Sequence, residues 1–200
     1  MDVLVVCAVE AEHAALADAK ADVVVGGAGP AAAAAAASSA LAGGRYDLVL
    51  CAGIGGGFAP LTPGAVAVAS SIVFADLGAE SPDGFVPVSD LGFGARERYD
   101  VGAALAVELA DRAGGHLGTV LTVATVTGTA ATAATLARRF PDAVAEGMEG
   151  AGVAAAAALH DVPFGEIRAL SNLVGPRDRA AWQIPLALEA LGRAVAAVTG

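Results

Sequence analysis

The sequence predicts an α/β domain in which a largely parallel sheet is covered by helices. The first reason is order: short β-branched runs alternate with Ala-rich helical stretches along the whole chain, the pattern of successive strand–helix–strand units. The second is the material for a core. Hydrophobic residues make up 56% of the chain and aromatics only 4%, so Ala, Val and Leu must fill the interior, and small side chains let layers approach closely. Two hundred residues suffice for one well-filled domain, and neither a linker nor an internal repeat divides positions 1–200.

Val3 to Ala8 is a continuous apolar run, as expected of a strand buried on both faces. It gives way to Glu10 and Glu12, which enter a helix running through Ala19. Val23 to Val25 is a short strand, followed by Gly26-Gly27-Ala28-Gly29. Pro30 suits a first helical turn, and Ala31 to Leu41 continues that helix until Gly43-Gly44. Asp47 to Ala52 is a buried strand closing on a glycine loop, Gly53-Ile54-Gly55-Gly56-Gly57. After the turn Thr62-Pro63-Gly64 comes a strand over Val66 to Phe74. Asp76 to Tyr99 lacks periodicity, and long irregular segments in compact domains usually serve as lids or interface pieces. A helix from Asp100 to Ala113 with Asp100 as N-cap, a strand from Gly118 to Thr127 and a helix from Ala130 to Phe140 follow. The last elements are a short strand (Ala143 to Met148), a helix (Gly150 to Leu159), a strand (Pro163 to Ser171) and a helix (Ala180 to Val198). Pro185 marks a boundary or kink near the start of that final helix.

Composition excludes several function classes. With 11 basic against 21 acidic side chains the net charge is −10, which opposes non-specific nucleic-acid binding and attraction to anionic lipid. Cys7 and Cys51 lie in apolar runs and read as buried thiols of a reducing compartment. His13, His116 and His160 are scattered without ligand spacing, so no metal is expected. The opening residues lack the basic region of a signal peptide, and no apolar stretch reaches the length of a membrane span. A cytoplasmic location is expected.

Two glycine motifs invite a cofactor reading. Gly27-Ala28-Gly29-Pro30-Ala31-Ala32 fits the G-x-G-x-x-A dinucleotide fingerprint, but the acidic residue expected about 20 residues on should end the next strand. Asp47 begins that strand instead, and no cofactor is expected. Gly53 to Gly57 is the better candidate for contact with a ligand, the alternative being a tight turn before Pro60.

Ligands of open α/β sheets bind beyond the carboxyl ends of the strands. Glu12, Glu149 and Asn172 all fall at such ends. Hydrolysis of a glycosidic bond needs a carboxylate to deprotonate water, and it gains from a second that grips sugar hydroxyls as the sugar becomes cationic. Singly, each of these residues is more often a helix-start carboxylate or a turn residue than a catalytic group. Together on one sheet edge, beside Gly53 to Gly57, they favour a small-molecule site.

At these residues the chain resembles a family. Ala8-Val9-Glu10-Ala11-Glu12 is similar to the A-x-E-x-E of the methylthioadenosine/S-adenosylhomocysteine nucleosidases, and Gly53-Ile54-Gly55-Gly56 to their G-x-x-G loop. Met148-Glu149-Gly150 resembles their M-E motif, and Arg168-Ala169-Leu170-Ser171-Asn172 their R-x-I-S-D strand end. The motifs keep their order over about 160 residues. Within this superfamily MEGAGVAAAA and SNLVGPRDRAAW most resemble the futalosine hydrolases, nucleosidases of an alternative menaquinone pathway.

The resemblance implies a three-layer αβα fold with a mixed, mostly parallel sheet of the nucleoside phosphorylase/nucleosidase type. It also implies a homodimer or larger assembly, futalosine as substrate, and hypoxanthine and dehypoxanthine futalosine as products. By the same resemblance Glu12 would be the general base, Glu149 would hold the ribose hydroxyls with Met148 packed on the sugar, and Arg168 would help order the water or its carboxylate. Asn172 stands where the adenosine-type enzymes carry an aspartate that protonates adenine. An amide offers donor and acceptor but delivers no proton; donors aimed at O6 and N7 suit leaving hypoxanthine. Gly147 replaces a first glutamate before M-E, so one polar contact is missing or supplied elsewhere, and Ile54 replaces a small hydroxyl residue. Cys51 and Ala52 stand where the hexameric phosphorylases have an arginine, which favours hydrolysis over phosphorolysis. Arg177 and Arg179 suit the benzoate end of the substrate or, equally, an ion-pair network with Asp178. Phe85, Phe93 and Arg96 suit either the same pocket or a subunit interface. The alternatives are an adenine-releasing nucleosidase, a purine nucleoside phosphorylase and a non-catalytic nucleoside sensor.

Overall fold

A computed structural model describes residues 1–200. The alternation read from the sequence appears as ten strands and six helices. The first half runs β1 (Val3–Cys7), α1 (Glu10–Ala15), β2 (Asp22–Val25), α2 (Pro30–Gly43), β3 (Leu48–Gly57) and β4 (Val66–Phe74). A small hairpin of β5 (Gly78–Ser81) and β6 (Gly84–Pro87) leads to β7 (Arg98–Asp100). Then come α3 (Ala103–Ala113), β8 (His116–Thr122), α4 (Ala130–Arg139), β9 (Ala143–Gly147), α5 (Gly150–Leu159), β10 (Phe164–Leu173) and α6 (Ile184–Thr199).

Period-two alternation sorts the buried side chains into layers. In β1, Val3, Val5 and Cys7 face Leu16 and the α6 residues Leu191, Val195 and Val198. Leu4 and Val6 face the other way, onto Ala33 and Ala37 of α2 and Val153 and Ala157 of α5. The result is the expected three-layer αβα arrangement with a mixed, mostly parallel sheet. No helix is long and apolar enough to cross a membrane.

Pairing around β3 positions everything that follows. One edge of β3 runs parallel to β10 along its length, from Val49 to Gly57. The opposite edge is divided. Its first part pairs with β1 from Leu48 to Cys51, and its last part pairs with β9 at Gly56 and Gly57. β10 also pairs with β4, β4 with β8, and β8 with β9. The strands β3, β10, β4, β8 and β9 therefore close into a ring, while β1 and β2 extend from β3 as an open wing.

Five expectations are corrected. Gly53 to Gly57 is not a loop but the second half of β3. Glycine is needed there because neighbours occupy the side-chain space: a Cβ at Gly55 would lie 2.5 Å from the Glu146 carbonyl. Asp76 to Tyr99 is not structureless; it holds the hairpin, a 3-10 turn at Val88–Leu91 and β7. Asp100 ends β7 rather than capping a helix, and α3 begins after Gly102. The strand expected to reach Thr127 leaves the sheet at Thr122, and the Asp76 carboxylate holds the departing segment through the Ala124 and Thr125 N–H groups. The first helix also ends early, at Ala15, where Leu16 turns its side chain into the core.

α2 and α5 pack at alanine distance. A Cβ on Gly152 would stand 2.1 Å from the Pro30 carbonyl, so Gly152→Ala should force these helices apart and cost about 1–3 kcal/mol as an overpacked core does. Urea denaturation checks this; an unchanged midpoint would show that the contact is dispensable.

Candidate active site

The divided edge of β3 is where the site forms. Ile54 lies between the stretch paired with β1 and the stretch paired with β9, so its backbone groups have no strand partner on that side. Its N–H donates to Glu12 Oε1 at 2.8 Å, and its carbonyl accepts from Arg168 Nη1 at 3.4 Å. Glu12 Oε2 takes the N–H groups of Ala8 (2.8 Å) and Val9 (3.3 Å), just past the end of β1. Three backbone donors from two strands thus fix a carboxylate that is only 3% exposed.

Arg168, on β10, is a buried hub. Nη1 pairs with Glu149 Oε2 at 3.0 Å, Nε with Glu166 Oε1 at 2.7 Å, and Nη2 donates to Cys51 Sγ at 3.1 Å. Backbone must come close to admit it. A Cβ at Gly53 would lie 2.7 Å from both Arg168 Nη1 and Glu12 Oε1, and one at Gly147 would lie 2.7 Å from the guanidinium carbon. A glutamate at position 147 would have no room. Glu149 Oε1 accepts the Gly29 N–H at 3.1 Å, so the first glycine motif holds this carboxylate.

These groups surround a cavity of about 350 Å³. Glu12, Ile54, Gly55, Gly147, Met148, Glu149 and Asn172 line it, together with Gly56, Thr127, Glu146, Ser171 and Trp182. The Ser171 hydroxyl reaches Asn172 Oδ1 at 2.7 Å, while Nδ2 donates one hydrogen to the Leu173 carbonyl at 2.9 Å. The second Nδ2 hydrogen is left for a ligand. The lining contains three carboxylates and no Lys or Arg, so it disfavours an anionic nucleophile. No three metal-ligating side chains are grouped anywhere in the chain.

Several expected site residues sit elsewhere. Arg168 and Gly53 lie behind the cavity wall, not in it. Arg168, expected among the catalytic groups, is buried and pairs with Glu149, which does line the cavity. Arg177 and Arg179 are exposed and outside the wall, each 5.8 Å from the ring of Trp182, which does line the cavity. The alternative of an ion pair with Asp178 is not realised; Asp178 instead accepts the Ala180 N–H and caps a short turn. Phe85 lies under the Arg139 guanidinium, Arg96 stacks on Tyr99, and Phe93 is 77% exposed; none of the three lines the cavity.

Two carboxyls escaped the sequence reading. Glu166 is fully buried, with Oε2 unpartnered and pressed against Gly150. Burial raises its pKa, opposed by the nearby Arg168. Glu146 accepts the Thr127 N–H at 2.9 Å and the Thr127 hydroxyl, and burial raises its pKa as well. The available signal was a charge inside an apolar strand: Phe164-Gly165-Glu166-Ile167 and Val144-Ala145-Glu146. Burial pushes Cys7 up to about 12 and Cys51 well above the usual thiol value, so both remain unreactive thiols.

Comparison with known proteins gives a consistent result. Residues 13–199 match the family model of the phosphorylase superfamily. A futalosine hydrolase of Streptomyces coelicolor is 57% identical over 157 residues, covering 78% of this chain and 66% of that protein. One from Acidothermus cellulolyticus is 46% identical over 185 residues, covering 90% and 75%. This chain therefore spans about two thirds to three quarters of the length of these relatives. Among solved structures, the futalosine hydrolase of Helicobacter pylori superposes with a TM-score of 0.84 at 15% identity, covering 99% of this chain and 97% of the other.

Removing Arg168 would strand two buried carboxylates. Arg168→Met should cost about 3–5 kcal/mol, read by denaturant melting; a loss under 1 kcal/mol would deny the hub its structural part. For Glu146, a raised folded pKa means that the folded chain holds the proton more tightly than the unfolded one. Its contribution is complete below about 4.5 and is lost as pH rises through the folded value. The difference in Tm, Glu146→Gln minus wild type, should therefore grow more positive as pH increases above that point; a flat difference would contradict it.

Proposed function

The chain belongs to the phosphorylase superfamily and, within it, to the futalosine hydrolase family, and from that footing we propose that it hydrolyses the N-glycosidic bond of futalosine. The products are hypoxanthine and dehypoxanthine futalosine. What supports this most is convergence: Glu12, Glu149 and Asn172, from three distant stretches, line one cavity.

The chemistry follows from the groups. As the C1′–N9 bond lengthens, its electron pair stays with the base and the ribose gains oxocarbenium character. Glu12, held by backbone N–H groups, accepts a proton from water as the hydroxyl adds to C1′. Its fixed orientation costs no reorganisation at the moment of reaction. Glu149 receives hydrogen bonds from the ribose hydroxyls, and its negative charge favours the cationic sugar. Arg168 acts through Glu149 by holding its second oxygen at 3.0 Å. Met148 packs against the sugar. The free Nδ2 hydrogen of Asn172 is directed at O6 and N7 of the leaving base and stabilises the charge that develops there. The departing hypoxanthine anion takes one proton from solvent, and Glu12 returns to solvent the proton it took from water.

A wall with three carboxylates and no cation supports water over phosphate as nucleophile. For the benzoate end we favour Arg177 and Arg179 at the rim, where they flank Trp182 and can pair with a carboxylate. A cytoplasmic homodimer or larger assembly belongs to the same proposal, and sedimentation equilibrium reads the assembly.

Futalosine and methylthioadenosine, incubated side by side in phosphate-free buffer, should yield hypoxanthine from the first and no adenine from the second. Adenine release would move the chain to the adenosine-type nucleosidases, and a strict phosphate requirement to the phosphorylases. Glu12→Gln should lower kcat by about 10²–10⁴-fold, as loss of a general base does. Asn172→Asp should depress hypoxanthine release and raise turnover of a 6-amino analogue; an unchanged ratio would remove Asn172 from base recognition.

A further inference from the structure

The reaction derived above leaves one carboxylate of the cavity wall without a task. Glu12 and Glu149 cluster around Arg168 and Ile54, but Glu146 stands apart from them. Its place in the sheet is specific. Asn172 of β10 is in register with Gly56 of β3, and Gly56 is in register with Glu146 of β9. The three form one rung across adjacent strands, and residues in register present their side chains on one face. Strands lie about 4.8 Å apart, so Asn172 and Glu146 flank Gly56 with their Cα atoms about 10 Å from each other. Gly56 carries no side chain; a Cβ there would meet Val174 Cγ2 at 2.9 Å and Asn172 Nδ2 at 3.4 Å. The rung thus carries an amide at one end and a carboxyl at the other, both in the cavity wall, with the Val174 side chain over the glycine between them.

We propose that Glu146 is a specificity-determining residue that accepts the N1–H of a 6-oxopurine whose O6 and N7 face Asn172. This rests on the purine nucleoside reading of the cavity. Along the edge that runs from N7 to N1 a 6-oxopurine presents N7 acceptor, O6 acceptor and N1–H donor, while a 6-aminopurine presents acceptor, donor and acceptor. An amide donor followed by a carboxylate acceptor matches the first order and opposes the second at both places. Thr127 prepares the carboxylate by engaging one lone pair on each oxygen through its N–H and hydroxyl. An ionised carboxyl has about four acceptor positions, so each oxygen retains one for a ligand. The clamp also prevents the side chain from turning away from a mismatched base, and a buried acceptor facing the N1 lone pair of adenine would then be left unpaired.

Free bases test this without depending on turnover. Hypoxanthine, 1-methylhypoxanthine and adenine are titrated calorimetrically into the wild type and Glu146→Gln. The wild type should bind hypoxanthine at least about tenfold more tightly than either other base, and the variant should lose about 10–100-fold for hypoxanthine, as expected for a hydrogen bond to a charged group. Adenine should be unchanged or bind more tightly, since the glutamine amide can donate to N1. An equal loss for both bases would assign Glu146 only to anchoring the Thr127 segment and overturn the proposal. So would absence of base binding, or equal wild-type affinity for hypoxanthine and 1-methylhypoxanthine, a comparison that stands even if the variant fails to fold. Failure of the wild type to release hypoxanthine from futalosine rejects the hydrolase reading separately, while the base affinities still decide the part of Glu146.

Discussion

A strand has two edges, and β3 must serve three neighbours with them. It gives one edge wholly to β10 and shares the other between β1 and β9. Between those two partners the ladder is interrupted, and backbone groups that would otherwise be satisfied by a strand need other partners. Glu12 and Arg168 supply them at Ile54. The base of the site is therefore a repair to a sheet whose neighbours diverge. Its carboxylate is placed by main-chain geometry, which explains why it needs no counter-ion of its own.

Charge is distributed economically around that repair. Glu12 is satisfied by N–H dipoles, Glu146 by Thr127, and the remaining pair, Glu149 and Glu166, share one guanidinium. A buried ion pair repays desolvation only when its hydrogen bonds are well made, and Arg168 uses all three of its nitrogens on protein acceptors. The consequence for the ligand is a wall that is acidic throughout. It suits a ribose that becomes cationic, and it repels anions at the point of attack.

Much of this was legible from the residues. Val66–Phe74 and Gly150–Leu159 have the boundaries the sequence implied, because β-branched runs and an uninterrupted Ala-rich stretch each admit one periodicity. Glu12, Glu149 and Asn172 were found as strand-end polar residues, and the structure brings them to one cavity. What stayed hidden depends on neighbours remote in sequence. Gly53 to Gly57 has the composition of a turn, yet it continues a strand because Glu146, Leu170 and Arg168 fill the volume where side chains would stand. Glu146 and Glu166 sit in apolar strands, where periodicity alone gives no reason to single out a charge. The hairpin at Gly78–Pro87 is short and largely exposed, with no hydrophobic alternation to announce it.

The alanine seam between α2 and α5 has a further consequence. Glu149 caps α5, and its Oε1 is held by Gly29, the residue that caps α2, so the two packed helices meet end to end at this carboxylate. Burying alanine removes no rotamer freedom, unlike burying leucine or methionine. The seam is therefore ordered at little entropic cost and has few alternative packings into which it can relax. Half of the site is held rigid by a surface with nothing to rearrange, so a nucleoside arriving there meets a carboxylate that is already in place.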